Sequence, residues 1–381
     1  MILTNCAACA APLAHTAPRC VRCHTRYCNK TCQMDHWRRG HKQMCKKIHR
    51  GGNAEQYHAD KKYKEAVAVA VEKCADDTKG QTCYICTQSL HWKTKEGLVR
   101  GCACRGTAGF AHVSCLAEQA KILVAEAEEN NLGFKVLNER WARWSTCGLC
   151  EQRYHGVVSG ALGWACWKTY VGRPETDEVL RMAMNLLGNG LYTAGHYEDA
   201  LSVRAAQLST YQRSGASAED ILAVQSNLAN TYAALGRLEK ALSMERDIYY
   251  GRLKLNGEEH RQTLVVALNY ASSLVQLQHF EEAKSLMRKT TPVARRVLGA
   301  GHDHTLRMRT VYAVALSLDS GATLDDLREA ATSLAETKRT AQRLLGGAHP
   351  IVVAIEQALG GARATLSARE TPSSSPPSES V

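Results

Sequence analysis

Cysteine placement constrains this chain more than any other feature. Of 16 cysteines in 381 residues, seven lie between Cys6 and Cys45 and seven between Cys83 and Cys150. Cys74 and Cys166 stand apart, and none follows Cys166. Clusters of this kind predict metal modules in front and a different domain behind. The opening segment has no basic stretch ahead of a long apolar core, so it does not read as a secretory signal. No window approaches the ~18 apolar residues of a membrane helix. The expected setting is intracellular, cytoplasmic or nuclear, where thiols stay reduced and ligate metal rather than pair as disulfides.

The first cluster reads Cys6-x2-Cys9, Cys20-x2-Cys23, Cys28-x3-Cys32 and His41-x3-Cys45. Eight ligands supply two tetrahedral zinc sites. A module this short buries little apolar surface, so the metal must supply its stability, about 10–16 kcal/mol in small finger peptides. The His-x3-Cys pair suits one face of a helix.

The second cluster reads Cys83-x2-Cys86, Cys102-x-Cys104, His112-x2-Cys115 and Cys147-x2-Cys150. Eight ligands again predict two zinc ions, four in all. The central stretch "CACRGTAGFAHVSC" is then half of a metal cage. A redox pair or a Cys/His dyad there would leave both flanking pairs unexplained. The segment between Cys115 and Cys147 is long, 31 residues. It reads as a helix, "LAEQAKILVAEAEEN", followed by a short one around Trp141 and Trp144.

Charge is a weaker guide. The formal value of +11 hints at nucleic acid, but fourteen thiolates and four zinc ions bring it to about +5. No stripe of alternating aromatic and basic residues supports that partner, so nucleic acid is disfavoured.

Behind the fingers the sequence repeats. "LGNGLYTAGHYEDAL" (187–201), "LANTYAALGRLEKAL" (228–242) and "YASSLVQLQHFEEAK" (270–284) align at offsets of 41 and 42 residues. Apolar residues such as Leu228, Tyr232, Leu235, Leu238, Ala241 and Leu242 recur at helical spacing. Between the units, Gly257-x2-His260, Gly299-x2-His302 and Gly346-x2-His349 form a second signature. Glycine suits a helix end, and one histidine per repeat suggests capping or packing rather than a metal row. Such periods mean a solenoid of helix pairs.

Three resemblances follow from these residues. "YCNKTCQMDHWRRGHKQMC" (27–45) with its upstream pairs resembles the MYND zinc finger. That family interleaves its sites, which implies Cys6, Cys9, Cys28 and Cys32 on one zinc and Cys20, Cys23, His41 and Cys45 on the other. It also implies binding of proline-rich peptides through Gln33 and Trp37; the usual serine after the fifth cysteine is Asn29. Eight residues separate Cys32 from His41 where the family usually has seven. The insertion falls in "RRG", which makes His36 a surface or packing residue rather than a substitute ligand.

"GCACRGTAGFAHVSCL" with its flanks resembles the RING-CH finger. The short Cys102–Cys104 spacing and the seven residues before His112 favour it over a PHD finger. The resemblance implies Cys83, Cys86, His112 and Cys115 on one zinc and Cys102, Cys104, Cys147 and Cys150 on the other. It further implies a ubiquitin-protein ligase that holds a conjugating enzyme, with Ile85 as the apolar contact. Gln119 stands where tryptophan is common, and Glu151 where a basic residue often touches ubiquitin. The array resembles tetratricopeptide repeats of the kinesin-light-chain kind. In those, positions matching Asn227 and Asn269 face a concave groove and bond extended peptides.

The expectation is a mainly α chain, two small cross-braced zinc fingers followed by an α-solenoid of tetratricopeptide-like helix pairs. The expected divisions are a finger at 1–50, a linker with a helix at 51–80, a finger with helical insertion at 81–172, repeats at 173–366 and a disordered tail at 367–381. Nothing resembles a P-loop, a dinucleotide loop or a hydrolase elbow, so no catalytic residue is assigned. The function implied is that of a zinc-binding protein-interaction protein, either a RING-type ligase recruiting substrates or a non-catalytic scaffold or adaptor.

Overall fold

A computed structural model describes residues 6–11, 13, 17–347 and 349–370. It is helical, and among the described residues the only extended pairings are three isolated bridges, Arg19 to Arg26, Val99 to Ala111 and Thr146 to Arg153. The chain divides into two compact units, Met1–Ala216 and Ser217–Val381. No helix among the described residues is long and apolar enough to cross a membrane.

In the first unit the leading finger supplies α1 (Lys30–His36), a kinked turn at Trp37–His41 in which Gly40 is non-helical, and α2 (Lys42–Arg50). Asn29 caps α1, its side chain accepting from the Cys32 amide. The buried cluster of this finger holds Cys6, Cys20, Cys23 and Cys45 and, besides these, Tyr27, Ile48 and Ala54. Three ordinary core residues cannot offset the chain entropy of so many ordered residues, so folding here depends on the ligands.

The linker is more ordered than its sequence suggests. α2 runs to Arg50, and α3 (Ala54–Lys73) starts directly after the Asn53 cap. Only Gly51–Asn53 separates the two. α3 carries Tyr63, Val67 and Ala70 into the same core as the second finger. Its Tyr63 hydroxyl lies 3.0 Å from Ser114 Oγ, and the Lys168 ammonium sits 4.0 Å above the Tyr63 ring.

The insertion in the second finger folds as α4 (Val113–Glu129) and α5 (Gly133–Trp141), followed by a 3-10 turn at Ala142–Trp144. Glu96 caps α4 in place of a helix-borne residue, accepting from the Ser114 amide at 2.7 Å and its hydroxyl at 2.9 Å. α6 (Gly156–Tyr170) is apolar all round, with Trp164, Trp167 and Tyr170 buried. A helix without a polar face must be covered on every side; α3, α4 and α7 (Glu178–Thr193) cover this one. α7 pairs with α8 (Tyr197–Arg213).

The second unit is a run of antiparallel helix pairs: α9 (Ala218–Ala234) with α10 (Leu238–Asn256), α11 (Arg261–Gln276) with α12 (Phe280–Leu298), α13 (Asp303–Leu318) with α14 (Leu324–Leu345), and α15 (Pro350–Glu370). Repetition extends to hydrogen bonds. Arg246 Nε donates to the Tyr270 hydroxyl at 3.2 Å, and one repeat later Arg288 Nε donates to Tyr312 at 3.1 Å. Thr263 donates to the Arg252 carbonyl and Thr305 to that of Ala294.

The recurring histidines are caps. Nδ1 of His260, His302 and His349 accepts from the amides of Gln262, His304 and Ile351 at the starts of α11, α13 and α15. Each follows a left-handed glycine, Gly257, Gly299 or Gly346, that ends the preceding helix. Between α13 and α14 the chain passes through a short loop, 319–323, closed by a capping box, Thr323 with Asp326. α15 continues to Glu370, past the predicted end of the array at 366, and 371–381 of the expected tail lie outside the described residues.

Candidate metal centres

Four groups of ligand atoms converge, each with all members within 4.8 Å of one another. They are Cys6, Cys9, Cys28 and Cys32; Cys20, Cys23, His41 and Cys45; Cys83, Cys86, His112 and Cys115; and Cys102, Cys104, Cys147 and Cys150. These are the quartets read from the sequence, interleaved as expected.

The spacing within each quartet tests the fit to zinc. Zn–S bonds near 2.3 Å and Zn–N near 2.0–2.1 Å put tetrahedral ligands about 3.8 Å apart for two sulfurs and about 3.5 Å for sulfur and nitrogen. Observed separations are 3.4 Å for Cys9 and Cys28, 3.8 Å for Cys9 and Cys32, 3.7 Å for Cys20 and Cys45, and 3.8 Å for Cys104 and Cys147. His41 Nε2 lies 3.3 Å from Cys23, and His112 Nδ1 lies 3.4 and 3.6 Å from Cys86 and Cys115. A three- or four-thiolate set at this geometry suits structural zinc, with no position left open for catalysis.

Backbone amides complete the cages. Cys6 Sγ accepts from Ala8 and Cys28, Cys83 Sγ from Ile85, and Cys147 Sγ from Leu149, each at 3.4 Å. Burial pushes the Cys6 thiol up, but the amides of Cys28, Cys9 and Ala8 outweigh it and bring it down to about 6. A thiol so poised gives up its proton to a metal readily. The residue after each Cys-x2-Cys pair is left-handed without being glycine: Ala10, His24, Thr87 and Glu151, at φ between 56 and 61°. Such a conformation costs about 1–2 kcal/mol per residue, which the ligand cage holds in place. Gly109 packs against one cage, where a Cβ would lie 2.6 Å from that of Cys104.

The extra residue before His41 falls at a kink between α1 and α2. Gly40 leaves the helical conformation there, at φ 122°, and the chain re-enters a helix at His41, which meets its quartet. His36 is not a ligand. Its Nδ1 lies 3.0 Å from the Tyr27 hydroxyl, and its ring stacks on His41 with centroids 4.8 Å apart. The two histidine ligands face their quartets through different nitrogens. His112 holds Nε2 at 3.3 Å from the Ser89 carbonyl, which sets its tautomer.

One element escaped the sequence reading. Residues 91–96 form a fifth knuckle without a metal. The His91 amide donates to Glu96 O and the Lys95 amide to His91 O, with Lys95 left-handed at φ 59°. Cys83, Thr87 and Gln88 make the same pattern. His91 Nδ1 here accepts from the Thr94 amide at 3.1 Å and lies 2.8 Å from its hydroxyl, so hydrogen bonds hold the turn that zinc holds elsewhere. The His91 ring packs edge-on against His112, with centroids 5.4 Å apart. The signal was visible as "HWKTKEG" set against "CYICTQS".

The residues expected from the resemblances to meet partners are placed as follows. Trp37 is 37% exposed and meets the His41 ring edge-on; Gln33, one turn earlier, is half-buried. Ile85 and Leu149, 36% and 53% exposed, occupy the tips of two knuckles. A Cβ on Gly148 would come within 4.0 Å of the Tyr84 hydroxyl, so the side chain of one knuckle reaches the backbone of the other. Leu149 was missed because the metal pattern absorbs the whole of "CGLC". Gln119 is half-buried on α4, and Glu151 is exposed. In the second unit, Asn269 lines a cleft of about 310 Å³ with Leu268, Arg307, Val311 and Ile355, from α11, α13 and α15. Asn227, on α9, is outside that cleft.

Comparison with known families agrees with this anatomy. Residues 6–45 match the MYND finger, 83–131 the RING-variant domain, and 221–262 and 263–304 the tetratricopeptide repeat. The second match ends inside the helical insertion, before Cys147 and Cys150, whose place is fixed by the cage geometry. No curated protein matches the sequence. Among solved structures, kinesin light chain nearly identical TPR-like repeats from Podosopora anserina align at 19% identity and a TM-score of 0.43, covering 50% of this chain and 87% of that one. BtubC (BKLC) from P. vanneervenii aligns at 16% identity and a TM-score of 0.41, covering 71% and 96%. The chain carries a MYND finger, a RING-variant domain and tetratricopeptide repeats, with four clusters that fit zinc.

Proposed function

Starting from a zinc-binding protein-interaction chain of this make-up, we propose that it is a RING-type ubiquitin ligase that gathers a substrate with its first finger and repeats and a conjugating enzyme with its second finger. The observation that carries the reading is the pair of exposed apolar tips, Ile85 and Leu149, on neighbouring knuckles of one finger. Exposed apolar residues on rigid, metal-pinned turns are suited to docking. Catalysis in this reading is positioning, since no nucleophile of the chain takes part. Substrate segments are extended or proline-rich peptides, held by Gln33 and Trp37 on the first finger and by Asn227 and Asn269 on the repeats. The sixteen cluster residues hold the zinc, and the working compartment is the reducing cytoplasm or nucleus.

Two residues favour a second reading, a non-catalytic scaffold in which both fingers only bind proteins. Gln119 offers no large apolar contact, and Glu151 is an exposed acid beside the last zinc ligand.

Reconstituted transfer with activating enzyme and a panel of conjugating enzymes tests the proposal. The wild type should ubiquitinate itself, and Ile85→Ala should weaken conjugating-enzyme affinity about ten- to a hundredfold, the equivalent of ~1.5–3 kcal/mol of lost apolar burial. Glu151→Arg should raise transfer, with zinc content unchanged in both variants. No transfer with any conjugating enzyme, and none gained by Glu151→Arg, would establish the scaffold.

A further inference from the structure

Consecutive repeats of the second unit keep one framework at a 42-residue offset, with Arg246 and Arg288, His260 and His302, and Tyr270 and Tyr312 in matching places, so the lining between the helices of one repeat can be read against that of its neighbour. The two differ around a cleft of about 600 Å³ between α12, α13 and α14. Its lining includes Arg288, Thr291, Arg295, Arg309, Tyr312 and Glu336.

Comparison at the 42-residue offset shows how the cleft arises. Arg288 and Tyr312 repeat Arg246 and Tyr270 and belong to the shared scaffold. The other positions do not repeat. Tyr249, buried in the preceding repeat, becomes Thr291; Leu253 becomes Arg295; Ala267, fully buried, becomes Arg309. A bulky ring has been withdrawn, and two guanidinium groups stand where apolar side chains pack one repeat earlier. Tyr250 becomes Pro292. Lacking an N–H, this proline leaves the Arg288 carbonyl without its helical donor.

The polar atoms around the cleft are only partly used. Arg309 pairs with Glu336 at 3.2 Å, and Arg288 is held by Tyr312. The Thr291 hydroxyl is buried and has no hydrogen-bond partner among the described residues. Arg295 is exposed. Glu329, which accepts from the Tyr312 hydroxyl at 3.1 Å, and Glu281 stand near Arg288; Arg295 and Arg309 against Glu336 make the cationic part of the recess, with a hydroxyl donor set inside it.

We propose that this cleft binds a phosphoryl group. Arg295 and Arg309 offer the forked donors that suit phosphate oxygens, and the Thr291 hydroxyl supplies a further donor. The volume exceeds that of a phosphoryl group alone and leaves room for its carrier. The carrier is either a small organic phosphate or a phosphorylated protein side chain. Glu336 is the competing anion: it neutralises Arg309 in the free protein and must yield that arginine to the ligand.

Titration calorimetry of the full chain at low ionic strength tests this, with pyrophosphate and a phosphothreonine peptide as probes and the unphosphorylated peptide as control. One or both phosphorylated probes should bind, and the tighter one identifies the carrier. Arg295→Glu and Arg309→Ala should each weaken binding about tenfold or more. Thr291→Tyr, which restores the side chain of the preceding repeat, should abolish it. Glu336→Gln should strengthen it about threefold, an effect that a merely structural ion pair does not predict. Thermal melts confirm that the variants fold. No binding of either phosphorylated probe at millimolar concentration, equal binding of the control peptide, or affinities unchanged in the folded variants would overturn the proposal.

Discussion

The kink before His41 gives the sharpest test of how the first finger accommodates its extra residue. Deleting Gly40 should remove the non-helical residue and restore the seven-residue spacing usual in MYND fingers, with His41 still reaching Cys20, Cys23 and Cys45. A deletion in an ordinary helix would instead swing His41 through about 100° and remove a ligand. Replacing Gly40 by alanine is a different perturbation. Nothing lies within 4 Å of the added Cβ, so the cost comes from φ 122° alone. A non-glycine residue held in such a region costs about 1–3 kcal/mol. Set against the ~10–16 kcal/mol that structural zinc supplies, this leaves the finger folded and weakens its zinc affinity about 5- to 150-fold. Competition with a chromophoric chelator measures both variants. Deletion should retain the wild-type zinc content, and Gly40→Ala should retain it with weaker affinity. Loss of one zinc on deletion would refute this reading of the kink, as would Gly40→Ala binding as tightly as the wild type.

Two further outcomes are expected. His302→Ala should destabilise the repeat array by about 0.5–2 kcal/mol in urea titrations monitored by circular dichroism, while His302→Asn, which keeps a side-chain acceptor at the start of α13, should recover most of the loss. The Asp319 carboxyl is held below its usual value by the buried Lys284 ammonium at 2.7 Å and by the Gly321 amide. A depressed acid stabilises the fold above its unfolded value of about 3.9 and stops doing so as pH falls through its lower folded value. Asp319→Asn should therefore cost about 1–3 kcal/mol at pH 7, and the difference from wild type should shrink below about pH 4 in stability measurements across pH.

How much of this was readable in advance depended on the kind of interaction. The sixteen ligands were legible because a metal cage demands particular atoms at short, fixed spacings, and Cys83-x2-Cys86 has few other uses. The repeats were legible because burial imposes a period, and the capping histidines showed themselves by recurring once per period. The kink at Gly40 was visible only as a surplus residue: sequence counts positions but does not show whether a loop, a ligand change or a helix break absorbs one. The His91–Thr94 knuckle was hidden because hydrogen bonds can replace metal in the same turn, and no cysteine marks it. The linker read as a spacer because Gly51 and Gly52 punctuate it, yet α3 packs on the second finger through Tyr63 and Val67. The cleft at Thr291 could be seen only after the repeats were superposed, since a missing tyrosine leaves no motif.

The central claim is that two cross-braced fingers each hold two zinc ions. Native mass spectrometry of the purified full chain, with no chelator in the buffers, tests it most directly. The account predicts four zinc ions per chain in the wild type and three in Cys147→Ser, with the repeat array folded in both. Three or fewer ions in the wild type would contradict it.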